Sequence, residues 1–215
     1  MHMRLQIAID HAHSSNIFDT VDKIADVIDI VEIGTPMVMN EGMKAVRMVK
    51  EKYPDLTVLA DTKIVDGGAL ECRYAVEAGA DIITVLAMSA DQTIRDVADT
   101  AHKRGREVMA DLIGITDIKT RAEELTELGV DYIAVHTPFD VQETGRTPYE
   151  DLVELLEVIP RRMCAVAGGV KQSTVAEYAA LHPAIIIAGG ALYNAPDVRQ
   201  AVIDMKAVIA AEGGG

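Results

Sequence analysis

The sequence predicts an α/β fold, a closed (β/α)8 TIM barrel formed as a single compact domain over residues 1–215. Two observations lead there. Short, nearly continuous apolar runs recur along the whole chain, which suits strands buried on both faces in a parallel sheet. Between them lie segments with apolar residues three and four apart, the pattern of amphipathic helices. No linker or low-complexity stretch interrupts the alternation, and such alternation implies right-handed βαβ crossovers. Eight strand–helix units in one chain favour closure into a barrel. The rival, an open doubly wound sheet, wants a GxGxxG after the first strand, and none stands there.

In order, the first strand is LQIAID (5–10), followed by a helical pattern in FDTVDKIADVI (18–28). DIVEIG (29–34) leads to MKAVRMVKEKY (43–53), and LTVLAD (56–61) to ALECRYAVEAG (69–79). DIITVL (81–86) precedes TIRDVADTAHKRG (93–105), and EVMADLI (107–113) precedes IKTRAEELTELG (118–129). DYIAVH (131–136) pairs with YEDLVELLEVI (149–159), MCAVAG (163–168) with STVAEYAALH (173–182), and AIIIAG (184–189) with DVRQAVIDMKAVIAA (197–211). Within AGAD (78–81) and LGVD (128–131), glycine supplies a left-handed helix stop before the next strand.

Composition narrows the function. The net charge of −14 argues against a nucleic-acid or anionic-membrane surface, while leaving room for a local phosphate pocket. No apolar run reaches the roughly eighteen residues of a membrane span. The N-terminus enters a strand pattern directly, without a signal peptide's apolar region, so a cytoplasmic location is expected. Cys72 and Cys164 form no CxxC and are expected to be buried thiols. With no Trp and two Phe, the core must consist of Ile, Val, Leu, Ala and Met.

In a barrel of this kind the active site lies at the C-terminal ends of the strands. The expected strand ends carry Asp10, Glu32, Asp61 with Lys63, Asp111, His136, Gly168 and Gly189. The stretch LADTKIVDGG crowds Asp61, Lys63 and Asp66 into six residues. Strand alternation puts Asp61 and Lys63 on one face if the strand continues that far. Asp66 is open to two readings, a helix cap or a functional carboxylate. Glu32, inside the apolar VEIG, is costly to bury unless it pairs with Lys63 or binds a metal. Together Glu32 and Asp61 would supply two hard oxygen ligands suited to Mg²⁺. His136 is equally compatible with a structural role, and Asp10 and Asp111 are each half explained by helix capping. Glycine pairs after the last two strands, Gly168 with Gly169 and Gly189 with Gly190, point to a phosphate site formed by backbone N–H groups.

These motifs have a family counterpart. LQIAID, VEIGTP, LADTKIVDGG, DLIGI, AVHTPFDVQ, AVAGGV and IAGGAL occur in the order found in the 3-hexulose-6-phosphate synthases, and HTPFDVQETGR helps to single these out. The chain therefore resembles that group within the orotidine-5′-phosphate decarboxylase superfamily, whose mark is D-x-K-x-x-D. The resemblance implies a reversible, Mg²⁺-dependent aldol addition of formaldehyde to D-ribulose 5-phosphate, giving D-arabino-3-hexulose 6-phosphate. It further implies Glu32 and Asp61 as metal ligands, Lys63 as stabiliser of the enediolate, and His136 as the base at C1. Asp66 would orient Lys63 and reach into the neighbouring subunit's site, so a homodimer is expected. Asp10 would contact substrate hydroxyls or Lys63, and Asp111 joins the catalytic set. The sibling 3-keto-L-gulonate-6-phosphate decarboxylases usually carry Glu, Arg and Thr where this chain has Asp111, Phe139 and Ala167. His11 departs from the acidic residue common in relatives and leaves that loop's role open. A non-catalytic sugar-phosphate-binding barrel is the alternative of a different class.

Overall fold

The computed structural model describes residues 2–11, 13–142 and 147–213. Eight parallel strands close in sequence order: β1 (Arg4–Ile9), β2 (Ile30–Ile33), β3 (Thr57–Ile64), β4 (Ile82–Leu86), β5 (Glu107–Asp111), β6 (Tyr132–His136), β7 (Cys164–Ala167) and β8 (Ile185–Ala188), with β8 pairing back onto β1. All eight coincide with the expected runs. The helices around them are α1 (Ile17–Ile24), α2 (Thr35–Glu41), α3 (Lys44–Lys52), α4 (Gly68–Glu77), α5 (Asp91–His102), α6 (Ile118–Leu128), α7 (Phe139–Gln142), α8 (Tyr149–Val158), α9 (Val175–Ala179), α10 (Gly190–Tyr193) and α11 (Val198–Gly213). The short helices α2, α7 and α10 were not expected, because none is long enough to develop a 3.6-residue apolar period. Pro36 near the start of α2 is a helix-start signal that could have marked it.

Two apolar layers result from the alternation of side chains along each strand. Ala8, Ile30, Leu59, Ile82, Met109, Ala134, Ala165 and Ile187 fill the barrel interior. The neighbouring positions, such as Ile7, Val31, Val58, Ile83 and Val166, face the helices. Cys72 and Cys164 are both buried and free, as expected. Gly79 and Gly129 end their helices with φ of 99° and 90°, the left-handed conformation foreseen for them.

The N-terminal rim carries a repeated device. Asp29, Asp81 and Asp131 each stand one residue before an even-numbered strand. Each accepts the backbone N–H of the preceding strand's second residue: Leu5 at 2.8 Å, Val58 at 2.9 Å and Val108 at 2.8 Å. Each also meets a basic side chain: Lys206 on Asp29, Lys50 and Arg106 on Asp81, and His102 on Asp131. In the fourth pair the matching position is Ala184, which has no carboxylate to offer. There the equivalent residue is Cys164, the first of β7, whose carbonyl accepts the Ala184 N–H as those of Val58 and Val108 accept the N–H groups of Asp81 and Asp131. Its own N–H bonds the Arg161 carbonyl of the 3-10 turn Arg161–Met163 instead.

Candidate active site

At the opposite rim the strand ends bring most of the expected residues together. Lys63 Nζ lies 2.5 Å from Asp61 Oδ2 and 3.6 Å from Asp111 Oδ2. Asp111 Oδ2 in turn faces His136 Nδ1 at 2.9 Å, and its Oδ1 accepts the Ile113 N–H at 2.9 Å. Glu32 accepts from Gln6 Nε2 at 2.5 Å. The ion pair between Glu32 and Lys63 is not formed, because Lys63 is taken up by the two aspartates. Asp10 projects between Gly34 and Gly189. A Cβ on Gly34 would collide with Asp10 Oδ1, and one on Gly189 would stand 3.6 Å from Asp10 Oδ2.

Capping accounts for neither Asp10 nor Asp111. His13 and Asn16 precede the first helical turns, and Asp117 caps α6 by accepting the Thr120 N–H. Asp66 does not cap α4 either; Gly67 holds that position, and Asp66 Oδ1 accepts the Gly67 N–H at 2.7 Å. Nor does Asp66 bond Lys63 within the chain, contrary to the expectation that it orients this lysine. Asp61 does so instead. His11 packs its ring against Tyr193, with centroids 4.9 Å apart. Phe139 is 76% exposed, and Ala167 pairs in register with His136. Of HTPFDVQETGR, residues 143–146 lie outside the described residues.

Asp61 and Lys63 come together by a route other than simple alternation. In register, Ala60 pairs with Ile83 and Ile64 with Val85, so Asp61, Thr62 and Lys63 all stand opposite the single residue Thr84. This bulge is turned by Lys63 in the left-handed region at φ 46°, a conformation rare for a side-chain-bearing residue. Residue type offered no sign of it.

The electrostatics follow from crowding four carboxyl groups around one lysine. Glu32, only 8% exposed, is pushed well above the ordinary glutamate range by burial first and by repulsion from Asp61 and Asp10 next. Asp10, although open to solvent, is raised as well, by desolvation at the crowded mouth ahead of repulsion from Asp61. Burial would raise Asp111 too, but the bond and charge of His136, the charge of Lys63 and the Ile113 N–H outweigh it and hold the carboxyl low. For Lys63, burial acts downward, yet attraction to Asp61 and Asp111 carries it above the usual value.

Four partners escaped the sequence reading: Gln6 beneath Glu32, Gly34 beside Asp10, and Thr35 and Thr84 on Asp61. Thr35 Oγ1 reaches Asp61 Oδ2 at 2.6 Å, and Thr84 Oγ1 reaches Oδ1 at 2.9 Å. Gln6 and Thr84 were detectable in principle as lone polar residues inside the apolar runs LQIAID and DIITVL.

Among the described residues no three His, Cys, Asp or Glu side chains are grouped so as to enclose a metal by themselves. The donor chemistry nevertheless fits a hard cation. A carboxylate offers about four lone-pair sites. Asp61 already accepts from Thr35, Thr84 and Lys63, and Glu32 accepts from Gln6. Coordination capacity remains on both. Mg²⁺ commonly takes one or two protein carboxylates and completes its shell with water and substrate oxygens.

The glycines form the other side of the mouth. Gly168 and Gly169 have φ of 104° and 78°, and a Cβ on Gly168 would come within 2.5 Å of the Thr137 carbonyl oxygen. No other residue fits this turn without rebuilding it. Gly189 and Gly190 open α10 directly after β8.

A family model described as "Orotidine 5′-phosphate decarboxylase / HUMPS family" matches residues 3–205. The chain belongs to this family. Within the orotidine 5′-phosphate decarboxylase/HUMPS family it is similar to a 3-hexulose-6-phosphate synthase of Bacillus subtilis, 42% identical over 96% of this chain and 99% of the relative. A solved structure of 3-hexulose-6-phosphate synthase from Salmonella typhimurium superposes with a TM-score of 0.94 at 39% identity, covering 98% of this chain and 100% of that one. The 3-keto-L-gulonate-6-phosphate decarboxylase of Vibrio cholerae is more distant: TM-score 0.86 and 26% identity, over 98% of this chain and 99% of the other. No helix among the described residues is long and apolar enough to cross a membrane.

Proposed function

We propose that this protein, a single barrel domain, is a 3-hexulose-6-phosphate synthase, an aldehyde-lyase joining formaldehyde to D-ribulose 5-phosphate. The observation that carries the reading is the contact chain Asp61–Lys63–Asp111–His136 across the mouth, in a chain so similar to synthases of that name. His136 donates Nδ1–H to the Asp111 carboxylate, which leaves the Nε2 lone pair to take a proton from C1 of the sugar phosphate. Lys63 stabilises the negative charge that then develops on the C2 oxygen. C1 attacks the formaldehyde carbon, a carbon–carbon bond forms, and the new alkoxide takes up a proton from His136. Glu32 and Asp61 would hold Mg²⁺, which when bound supplies a Lewis acid to the sugar's oxygens. Backbone N–H groups at Gly168, Gly169, Gly189 and Gly190 bind the phosphate, and Asp10 meets a sugar hydroxyl.

The active form is a homodimer in which Asp66 completes the partner's site. Val65, next to Asp66 in the chain, and Leu70 and Tyr74 on α4 are exposed apolar side chains, and they support this reading as a surface that a second copy would cover. With Phe139 in place of a cation beyond His136, the chain lacks the group expected of the decarboxylase. Incubation with ribulose 5-phosphate, formaldehyde and Mg²⁺ should consume formaldehyde, and EDTA should stop it. Release of CO₂ from 3-keto-L-gulonate 6-phosphate without formaldehyde consumption would overturn the assignment.

A further inference from the structure

Thr84 is buried, sits in the middle of β4, and is the only residue in register with the three-residue bulge Asp61–Thr62–Lys63. It serves each of the three. Its hydroxyl donates to Asp61 Oδ1 at 2.9 Å and accepts the Lys63 N–H at 2.9 Å, while its carbonyl accepts the Thr62 hydroxyl at 2.9 Å. A hydroxyl offers one donor and two acceptor sites, so a single oxygen can hold a carboxylate and a backbone N–H at once. A valine of the same shape would leave both without that partner.

We propose that Thr84 is a positioning residue for the reaction: its hydroxyl locks the β3 bulge so that the Asp61 carboxylate and the Lys63 ammonium enter the mouth side by side. Without the lock, a regular strand paired to β4 would restore the ladder and turn the segment out of its present geometry. Outer partners that orient metal-binding and catalytic side chains commonly carry about 10- to 100-fold of affinity or rate. This inference rests on the synthase reading for its kinetic arm alone.

The test compares Thr84→Val with Thr84→Ser in the full-length protein, after circular dichroism has shown both to be folded. In the synthase assay Thr84→Val should lose about 10- to 100-fold in kcat. Its KM for ribulose 5-phosphate should change less than kcat, because the glycine loops assigned to the phosphate lie on β7 and β8. Thr84→Ser, which keeps the hydroxyl, should recover most of the loss. Amide hydrogen exchange at Lys63 gives a second readout independent of substrate and metal. It should be slow in the parent protein and Thr84→Ser, and faster in Thr84→Val. Wild-type kcat in Thr84→Val overturns the proposal, as does equal loss in both variants. Unchanged Lys63 exchange in Thr84→Val does the same. A parent protein inactive on this substrate pair would remove the synthase reading, and the exchange measurement alone would then decide whether Thr84 holds the bulge.

Discussion

Lys63 carries two separable energetic features, and two substitutions tell them apart. Its ammonium offsets the buried Asp61 and Asp111, each 5% exposed, while its backbone is held at φ 46°. Removing one partner of a buried ion pair costs about 3–5 kcal/mol. The Lys63 side chain is 23% exposed, so the low end of that range, about 3 kcal/mol, applies to both Lys63→Ala and Lys63→Gly. The variants differ in the backbone. A left-handed residue with a Cβ costs about 1–2 kcal/mol, against about 0.5–1 kcal/mol for the extra chain entropy of glycine. Lys63→Gly should therefore be the more stable by about 0.5–1 kcal/mol. In a domain of this size that is about 1–4 °C in Tm. Thermal unfolding followed by circular dichroism measures both differences, and neither variant should consume formaldehyde. An Ala variant that melts at or above the Gly variant would refute the left-handed bulge. A Tm equal to the parent's in both would refute the stabilising role assigned to the ammonium.

Two further outcomes are expected. In metal-free protein, Glu32→Gln and Asp111→Asn should shift stability in opposite directions at neutral pH. The Glu32 carboxyl is raised on folding, so its favourable contribution is complete below its ordinary value of 4.5 and is lost as pH rises through the folded-state value. Glu32→Gln should thus unfold at higher urea than the parent at pH 7 and at the same urea near pH 4. Asp111 is lowered, so its contribution is present above 3.8 and is lost as pH falls through the folded-state value. Asp111→Asn should be the less stable at pH 7, with the deficit shrinking in acid; urea titrations in EDTA that show the same sign for both would contradict the crowding argument. Separately, Asp66→Asn and Lys63→Ala homodimers should each be inactive, whereas unfolding and refolding them together should restore activity through mixed dimers with one intact site. No recovery in a mixture shown by mass spectrometry to contain mixed dimers would place Asp66 in its own chain's site.

The strands and long helices were legible because burial on both faces demands unbroken apolar runs, as in AIIIAG, and because helix faces repeat over several turns. The strand-end residues were legible for the same reason: Glu32 and Asp61 stand out against apolar neighbours. The bulge was not. Asp61–Thr62–Lys63 reads as a strand that simply continues, and its turn rests on a positive φ at a lysine, where glycine or asparagine would have been the usual sign. The supporting partners were hidden differently. Thr84 and Gln6 are single polar residues whose meaning depends on which strand lies alongside, and register is not written in a single strand. Asp66 shows the converse, since its likeness to a helix cap in sequence disappeared once Gly67 took that position.

The three aspartate clasps on the N-terminal rim fasten β1 to β2, β3 to β4 and β5 to β6, and leave β7 to β8 without one. Mechanically, three of the eight seams of the hoop are riveted in this way, and the seam between β7 and β8 is plain. The riveted arcs carry Glu32, Asp61, Lys63, Asp111 and His136 on their far ends, where small displacements would separate charges that must stay together. The plain seam carries the two glycine pairs. Under the proposed reaction the clasped pairs thus stand beneath the groups assigned to charge stabilisation and proton transfer, and the unclasped pair beneath the loops assigned to the phosphate.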